Sequence, residues 1–378
     1  MTTPDELARL RAELDGVDRG LVDLVARRLE VVGRIGEAKR DSDHPVRDIP
    51  RERAVLERVE ALARERGVSA DLVRRVFREV IGHAVDRQTG ALLALPREPV
   101  VVGVVEDDAT ARSAAHKYLS GLGVQGEVVA HRGARAVVAA VEQGQCDLAV
   151  LPVENSASGS VGLLHELLER SSLWVVGEEV WRVEHCLVAA RPLAVDEVVV
   201  LLATDDDQEA CSGLLASLPG VEVRTVASRA QAVRDLQDAP GAAVLLPLDA
   251  VPEGLVVLRR DVGTERENVT RLLVLGRHPV EVPPRVPCKT TLRIVTPHAE
   301  GALLRCLQVL SSAGLTMTKL ESRPVPGRPF EYAFFVDVEG NVADPGTRDA
   351  VEHLREVATT VRVLGSYPAK VLHADAAR

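Results

Sequence analysis

The chain has 378 residues, which is more than one ordinary hydrophobic core and predicts two or three domains. A net charge of -10 and an aromatic content of 2% argue against a nucleic-acid-binding protein, because basic surface and stacking side chains are both scarce. No segment approaches the ~18 apolar residues of a membrane span, and the N-terminus lacks the apolar core of a signal peptide. We therefore expect a cytoplasmic protein that binds neither membranes nor nucleic acid.

Residues 1–92 show helical patterning and predict an all-α domain. Its first helix carries an apolar seam with alternating spacings of three and four, formed by Leu7, Leu10, Leu14, Val17, Leu21, Leu24, Val31 and Ile35. Arg28 lies on this seam, where an unpaired charge would be costly, and Lys39 follows three turns later on the same face. Arg11 is about 25 Å from Arg28 along the axis. It could join the same ligand only from a second chain, so we predict an intertwined helical dimer with two shared sites.

Polar side chains continue on the next two predicted helices. Asp48 and Glu52 are one turn apart with Arg51 beside them, and Gln88 falls on the apolar face that contains Phe77. Taken singly, these residues fit a coiled coil with surface ion pairs. Taken together with Arg28 and Lys39, they favour a site for a small dianion.

The segment LRAELDGVDRGLVDLVARRLEVVGRIGEAK, followed by PVRDIPRER and Gln88, resembles the all-helical chorismate mutases of the AroQ type. The resemblance implies that Arg28, and Arg11 from the partner, bind the carboxylates of chorismate. It places Lys39 and Gln88 at the ether oxygen, and Glu52 with the Asp48 segment at the ring hydroxyl, while Arg51 completes the set. One departure is Ala84, where that family often has a serine.

Residues 98–279 alternate Val/Leu/Ala-rich strands with helical stretches and predict parallel α/β units. Two strand exits are acidic, in GVVEDDATARS (103–113) and TDDDQEAC (204–211). Acidic residues are favoured in the first turn of a helix, so solvated helix caps are the simplest interpretation.

ENSASGSV (154–161) and ENVTR (267–271) closely resemble motifs of prephenate dehydratases, which implies two α/β lobes similar to periplasmic binding proteins. The resemblance makes Thr270 the donor to the leaving hydroxyl and places Asn155, Ser156 and Ser160 in the substrate-holding loop, with Arg271 supporting Thr270. The acidic stretches replace two other family motifs, and a substrate dianion would be repelled there. Arg229 follows Ser228 where the family has threonine, and we expect it to bind substrate and offset part of this repulsion.

Residues 286–375 follow a proline-rich linker and read as β-α-β-β-α-β, the ferredoxin-like order. GALL (301–304) and ESRP (321–324) resemble the two motifs of the ACT domains attached to prephenate dehydratases. The resemblance implies that paired domains bind phenylalanine as a feedback effector, with the contacts made by Gly301, Ala302, Leu303, Glu321, Ser322 and Arg323.

The combined resemblance is to a fused chorismate mutase and prephenate dehydratase that makes phenylpyruvate and forms a homodimer or higher homo-oligomer. Two alternatives stay open: a mutase joined to a catalytically weak sensor, and a mutase joined to a prephenate decarboxylase. No metal or organic cofactor is expected, because the five scattered cysteines lack zinc-site spacing and read as reduced structural thiols.

Overall fold

The computed structural model describes residues 4–39, 48–93, 99–157, 159–237, 239–265, 268–284, 286–325, 327–328 and 331–370. The chain forms two compact units. The first comprises Met1–Leu95 with Gly121–Gly123 and Pro283–Pro287, and the second comprises the rest of the chain. Within the described ranges, no helix combines the length and apolar character that crossing a bilayer would need.

The first unit contains the helices α1 (Pro4–Lys39), α2 (Ile49–Glu65) and α3 (Ala70–Gly90). The side chain of Asp48 caps α2 by accepting a hydrogen bond from the backbone N–H of Arg51, and Ser69 caps α3 in the same way. The 36 residues of α1 span about 54 Å. The all-helical first domain predicted from the sequence is confirmed.

The apolar seam of α1 is open in the single chain. Its eight members, from Leu7 to Ile35, are between 43% and 65% exposed. Full burial of one such side chain contributes about 1.5 to 3 kcal/mol, so covering the whole row would strongly stabilise an assembly.

The second unit begins with an α/β lobe, continues into a second lobe, returns to the first, and ends in an α+β domain. The first lobe contains β1 (Val100–Val105), α4 (Ala109–Leu122), β2 (Gly126–His131), α5 (Ala134–Glu142), β3 (Leu148–Asn155), β4 (Gly159–Ser160), α6 (Gly162–Arg170) and β5 (Trp174–Arg182). The second lobe contains β6 (His185–Ala189), β7 (Val200–Ala203), α7 (Asp205–Ala210), α8 (Ser212–Ala216), β8 (Glu222–Thr225), α9 (Arg229–Gln237), β9 (Ala242–Pro247) and β10 (Val256–Arg259).

Strand β11 (Val269–Gly276) brings the chain back to the first lobe, whose sheet has the order β2-β1-β3-β11-β5 with β4 beside β3. The second sheet has the order β10-β6-β9-β7-β8. The predicted two-lobed α/β architecture is confirmed, but the sheets are mixed rather than parallel. The returning β11 runs antiparallel to both β3 and β5, because it enters the sheet from the opposite end.

The C-terminal domain contains β12 (Cys288–Val295), α10 (Ala302–Ser312), β13 (Met317–Pro324), β14 (Tyr332–Glu339), α11 (Pro345–Val357) and β15 (Thr360–Pro368). Its antiparallel sheet has the order β13-β14-β12-β15, so the predicted ferredoxin-like arrangement is confirmed.

One hydrophobic core joins the C-terminal sheet to the first lobe. Leu151 and Leu273 of the lobe belong to the same cluster of buried side chains as Phe335 and Tyr367 of the C-terminal domain. At Gly365 the backbones approach so closely that a Cβ atom would lie 2.0 Å from the carbonyl oxygen of Val175. The C-terminal domain is therefore packed onto the lobe and is not a tethered module.

Candidate active sites

Arg28 and Gln88 meet between α1 and α3. The guanidinium of Arg28 donates to the carbonyl of Val80 at 3.3 Å and lies 6.0 Å from the ring centroid of Phe77. Burial lowers the pKa of Arg28 from its ordinary value. The amide of Gln88 donates to the carbonyl of Val32 at 3.2 Å. Two of the predicted mutase residues thus line one helix interface, with polar groups held among apolar side chains.

The other predicted mutase residues do not complete this site within one chain. Glu52 is buried near the start of α2, while Asp48 and Arg51 are exposed there. Arg11 is exposed on α1, seventeen positions before Arg28, and the chain does not bring the two together. The side chain of Lys39 lies outside the described residues.

Thr270 and Asn155 form the centre of the predicted dehydratase site. They face each other on the antiparallel strands β11 and β3, and the amide nitrogen of Asn155 donates to the Thr270 hydroxyl oxygen at 2.9 Å. The same nitrogen lies 2.6 Å from the carbonyl oxygen of the Asn268 amide, which sequence reasoning did not single out. Because the oxygen of Thr270 accepts this bond, its O–H can donate to a third group.

The two serines predicted to hold substrate make other contacts. Ser156 ties the loop to β11, since its hydroxyl accepts from the backbone N–H of Val269 at 2.9 Å. The Ser160 hydroxyl donates to the carboxylate of Glu321 in the C-terminal domain, at 2.6 and 2.7 Å from its two oxygens. Each of the two hydroxyls thus has a partner within the protein.

Arg271 is also placed differently from the prediction. Neighbouring residues of a strand point to opposite faces, so its side chain leaves Thr270 and enters the interface with the C-terminal domain. There it donates to Glu178 at 2.7 Å, Glu154 at 2.9 Å, Asp337 at 2.6 Å and Tyr367 at 3.0 Å. Burial alone would lower the pKa of Arg271, but the surrounding acidic groups outweigh it and raise the pKa.

The first acidic stretch caps a helix, as the simplest interpretation predicts. Asp108 accepts a hydrogen bond from the backbone N–H of Ala111 at 2.8 Å, and burial raises the pKa of its carboxyl group. Asp107 occupies the left-handed region with φ 63°, which aspartate tolerates better than most residues. Two charged groups of the second lobe also act on Asp108, since Arg229 lowers its pKa and Asp249 raises it. The first acidic stretch therefore lies where the two lobes meet.

The second acidic stretch corrects the prediction of a solvated cap. Asp207 is completely buried, and Arg229 binds both of its oxygens, with distances of 2.7 Å from Nη2 and 2.9 Å from Nε. His185 lies 3.2 Å from the same carboxylate, and Thr204 donates to it at 2.7 Å. Burial would raise the pKa of Asp207, but these hydrogen bonds and the Arg229 charge lower it to about 2. Arg229 is consequently engaged by Asp207 and is not a free cation for substrate.

The predicted effector residues fall in two places. A pocket of about 490 Å³ surrounds the start of α10 and is lined by residues 296–304 with Glu331, Tyr332 and Phe334, so it includes Gly301, Ala302 and Leu303. Glu321, Ser322 and Arg323 do not line it. Glu321 and Arg323 contact Ser160 of the first lobe, whereas Ser322 points to the opposite face of β13.

Two family models match successive parts of the chain. The sequence model for chorismate mutase type II matches residues 10–89, and that for prephenate dehydratase matches residues 109–280. The bifunctional chorismate mutase/prephenate dehydratase of Escherichia coli (strain K12) is 31% identical over 378 residues, covering 98% of both chains. The chain belongs to the bifunctional chorismate mutase/prephenate dehydratase family.

Other relatives extend the comparison. The bifunctional enzyme of Neisseria gonorrhoeae is 32% identical over 96% of this chain and 97% of its own. A prephenate dehydratase from Arthrobacter aurescens, solved in complex with L-Phe, has a TM-score of 0.64 at 24% identity and covers 72% of this chain and 93% of its own. A solved structure described as a quorum-quenching acylase, GqqA, has a TM-score of 0.62 at 28% identity and covers 71% of this chain and 98% of its own. The shared fold thus carries differently named activities, and the fold alone does not identify the reaction.

The first prediction concerns the charge pair in the second dehydratase lobe. We expect Arg229→Ala to destabilise the protein by about 3 to 5 kcal/mol, because it leaves the buried Asp207 carboxylate unpaired. Removing both charges, with Asp207→Ala added, should recover much of this loss. Urea unfolding followed by circular dichroism measures both effects.

The exposed pair formed by Arg224 and Glu222 supplies the matched control, and Arg224→Ala should change stability little. An Arg229→Ala protein as stable as the wild type would show that Asp207 does not depend on this cation.

The second prediction concerns His165, which is buried on α6 with its Nε2 3.5 Å from Glu321 and its ring 4.7 Å from that of Phe335. Burial, with Lys319 and Arg323 nearby, lowers the pKa of His165 to about 4, although Glu321 and Asp337 act in the other direction. Between pH 6.5 and 4 the unfolded chain therefore binds a proton that the folded chain does not, and stability falls as the pH falls.

Between pH 7 and pH 5 the free energy of unfolding should fall by roughly 2 kcal/mol less in His165→Gln than in the wild type. Glutamine keeps a neutral N–H donor but does not titrate. Urea titrations at the two pH values give the difference. Equal losses in the two proteins would mean that His165 does not contribute to the pH dependence.

Proposed function

We propose that the chain catalyses two consecutive reactions, the rearrangement of chorismate to prephenate and the conversion of prephenate to phenylpyruvate, with phenylalanine as an effector. The full-length similarity to bifunctional relatives supports the pairing of activities. For the second reaction, the proposal is carried by the Asn155–Thr270 pair, which leaves a hydroxyl proton available at the predicted position of the leaving group.

The first reaction breaks an ether bond and forms a carbon–carbon bond without a general acid, so the site needs to fold the substrate and meet charge growing on the ether oxygen. Arg28 is the carboxylate-binding cation. Gln88 uses one N–H on Val32 and keeps another for the ether oxygen. Lys39 serves there as the second donor, and the start of α2 supplies Asp48, Arg51 and Glu52 for the ring hydroxyl.

Arg11 completes this site from a second copy of the chain. The exposed apolar seam of α1 supports such a homodimer, and a two-fold arrangement gives each partner the same contact. Each site then combines Arg28 of one chain with Arg11 of the other.

This arrangement gives the third prediction. Homodimers of Arg11→Ala and of Arg28→Ala should both be nearly inactive in chorismate consumption, since every site lacks one arginine. After joint unfolding and refolding of an equal mixture, half the dimers are mixed and carry one intact site. About a quarter of wild-type mutase activity should return, as two-fold symmetry requires. No recovery in a refolded mixture would contradict the shared site, and the refolded wild type serves as the control.

In the second reaction the carbon–carbon bond to the ring carboxylate breaks, and its electron pair moves into the ring as the hydroxyl leaves from the opposite carbon. The products are carbon dioxide, water and the aromatic phenylpyruvate. Thr270 donates its hydroxyl proton to the departing oxygen and takes a replacement proton from solvent, and Asn155 fixes the direction of the donated proton by occupying the oxygen of Thr270. Asn268 in turn orients Asn155.

The fourth prediction tests this assignment. Thr270→Val should lower turnover of prephenate by about 10² to 10⁴, the usual contribution of a positioned proton donor, while chorismate consumption stays unchanged. Thr270→Ser should retain much of the activity, because it keeps the hydroxyl. Chromatography of the products at neutral pH separates the outcomes: phenylpyruvate supports the proposal, accumulated prephenate supports a sensor domain, and a non-aromatic decarboxylated acid supports a prephenate decarboxylase.

We place phenylalanine at the start of α10, in the C-terminal domain, which we interpret as an ACT domain. The 490 Å³ pocket has apolar surface from Leu303 and Phe334, and the backbone at Gly301 is open because that residue has no side chain. The L-Phe complex of the Arthrobacter aurescens dehydratase supports the choice of ligand.

A cytoplasmic location is supported by the five cysteines. All five are buried and none forms a disulfide, which is the usual state of cysteines in a reducing compartment.

A further inference from the structure

Two adjacent residue pairs on β3 and β11 face different parts of the protein. Asn155 pairs with Thr270, and the preceding Glu154 pairs with Arg271. Because successive side chains of a strand alternate, the first pair faces the dehydratase site and the second faces the C-terminal domain. A shift of Glu154 along its strand therefore moves Asn155 with it.

Lys319 lies on β13 of the C-terminal domain and forms an ion pair with Glu154 of the first lobe. Its ammonium lies 2.8 Å from Glu154 and 3.3 Å from Glu321, and its side chain is only 9% exposed. Burial tends to raise the pKa of Glu154, but hydrogen bonds from Lys319 and Arg271 outweigh this and lower it. Glu154 is thus held as a carboxylate between one cation of its own lobe and one of the C-terminal domain.

The second carboxylate held by Lys319 leads to the other side of the site. Glu321 accepts the hydroxyl of Ser160, and Ser160 lies in the short strand β4, where it pairs with Glu154. Lys319, Glu154, Ser160 and Glu321 consequently form a closed ring of contacts around the ENSASGSV segment. Any change in the position of β13 is transmitted to both ends of that segment.

We propose that Lys319 is a positioning residue for the dehydratase site and couples it to the C-terminal domain. Its ion pairs with Glu154 and Glu321 fix the strand end that carries Asn155, and through it the direction in which Thr270 donates. Binding of an effector that displaces β13 moves this strand end and therefore changes the rate of prephenate conversion. The inference rests on the proposed dehydratase function.

The fifth prediction follows for Lys319→Met, which keeps the apolar stem and removes the charge. With prephenate supplied directly to the full-length protein, kcat should fall at least about tenfold with KM changed by less than about twofold, since small misplacement of a donor costs rate more than binding. The ratio of rates with and without phenylalanine should move toward one. Chorismate consumption should be unchanged.

Three variants separate positioning from loss of structure. Lys319→Arg, which can span both carboxylates, should restore most of kcat and of the phenylalanine response. Glu154→Gln should lower kcat, and adding Lys319→Met to it should cause little further loss, because both act on one contact. Arg355→Met removes an exposed ion pair with Glu352 on α11 and should leave kcat and the phenylalanine response unchanged.

Hydrogen exchange measured by mass spectrometry supplies a readout that does not need turnover. Peptides covering residues 153–160 should exchange faster in Lys319→Met than in the wild type or Arg355→Met. Unchanged kcat in an active Lys319→Met enzyme, or additive losses in the double variant, would overturn the inference. If the wild type fails to convert prephenate, the proposed function fails, and unchanged exchange in residues 153–160 then overturns the positioning role independently.

Discussion

The buried guanidinium of Arg271 holds the C-terminal domain to the first lobe of the second unit. It has carboxylate partners from its own lobe, Glu154 and Glu178, and one from the C-terminal domain, Asp337. A guanidinium removed from water is tolerable only with such partners, since the desolvation of a charge is costly unless it is compensated by close opposite charge and satisfied hydrogen bonds. The interface can therefore form only in the register that brings these groups together, and that register also sets the position of Thr270, the residue before Arg271.

The same interface changes what the C-terminal domain can be expected to do. A domain on a flexible linker acts on a distant site only weakly, whereas this one shares a hydrophobic core with the first lobe. Its strand β13 also touches the ENSASGSV segment directly through Glu321 and Lys319. Coupling between an effector pocket and a reaction site requires contacts that differ between two states of the protein. The ring of contacts around Lys319 consists of charged groups that can exchange partners, so it is suited to that role.

The second lobe shows how the chain accommodates acidic residues where its family carries other motifs. Asp207 and Arg229 form a bidentate pair beside His185, and each charge is compensated by the other. The carboxylate of Asp207 is thus compensated by Arg229, while Asp205 and Asp206 of the same stretch are exposed.

Much of the fold follows from the sequence because local periodicity encodes it. The heptad seam predicted α1, the alternation of apolar runs predicted α/β units in the middle of the chain, and the β-α-β-β-α-β order predicted the C-terminal domain, whereas the two lobes were implied by the family resemblance. The motifs also identified Thr270 and Asn155, which the structure brings into contact. These features depend on residues close together in the chain, where spacing alone fixes which face a side chain occupies.

The partners of the charged side chains were decided only by the tertiary structure. Arg271, Arg229, Ser160 and Glu321 all read as ligand-binding residues, yet each is engaged by a group more than twenty positions away. A sequence shows that a charge needs a partner but not which distant carboxylate or hydroxyl will supply it, because that choice depends on how sheets stack and strands pair. The strand alternation between Thr270 and Arg271 could have been read from the sequence. The docking of β13 against Glu154, which gives Lys319 its place, could not.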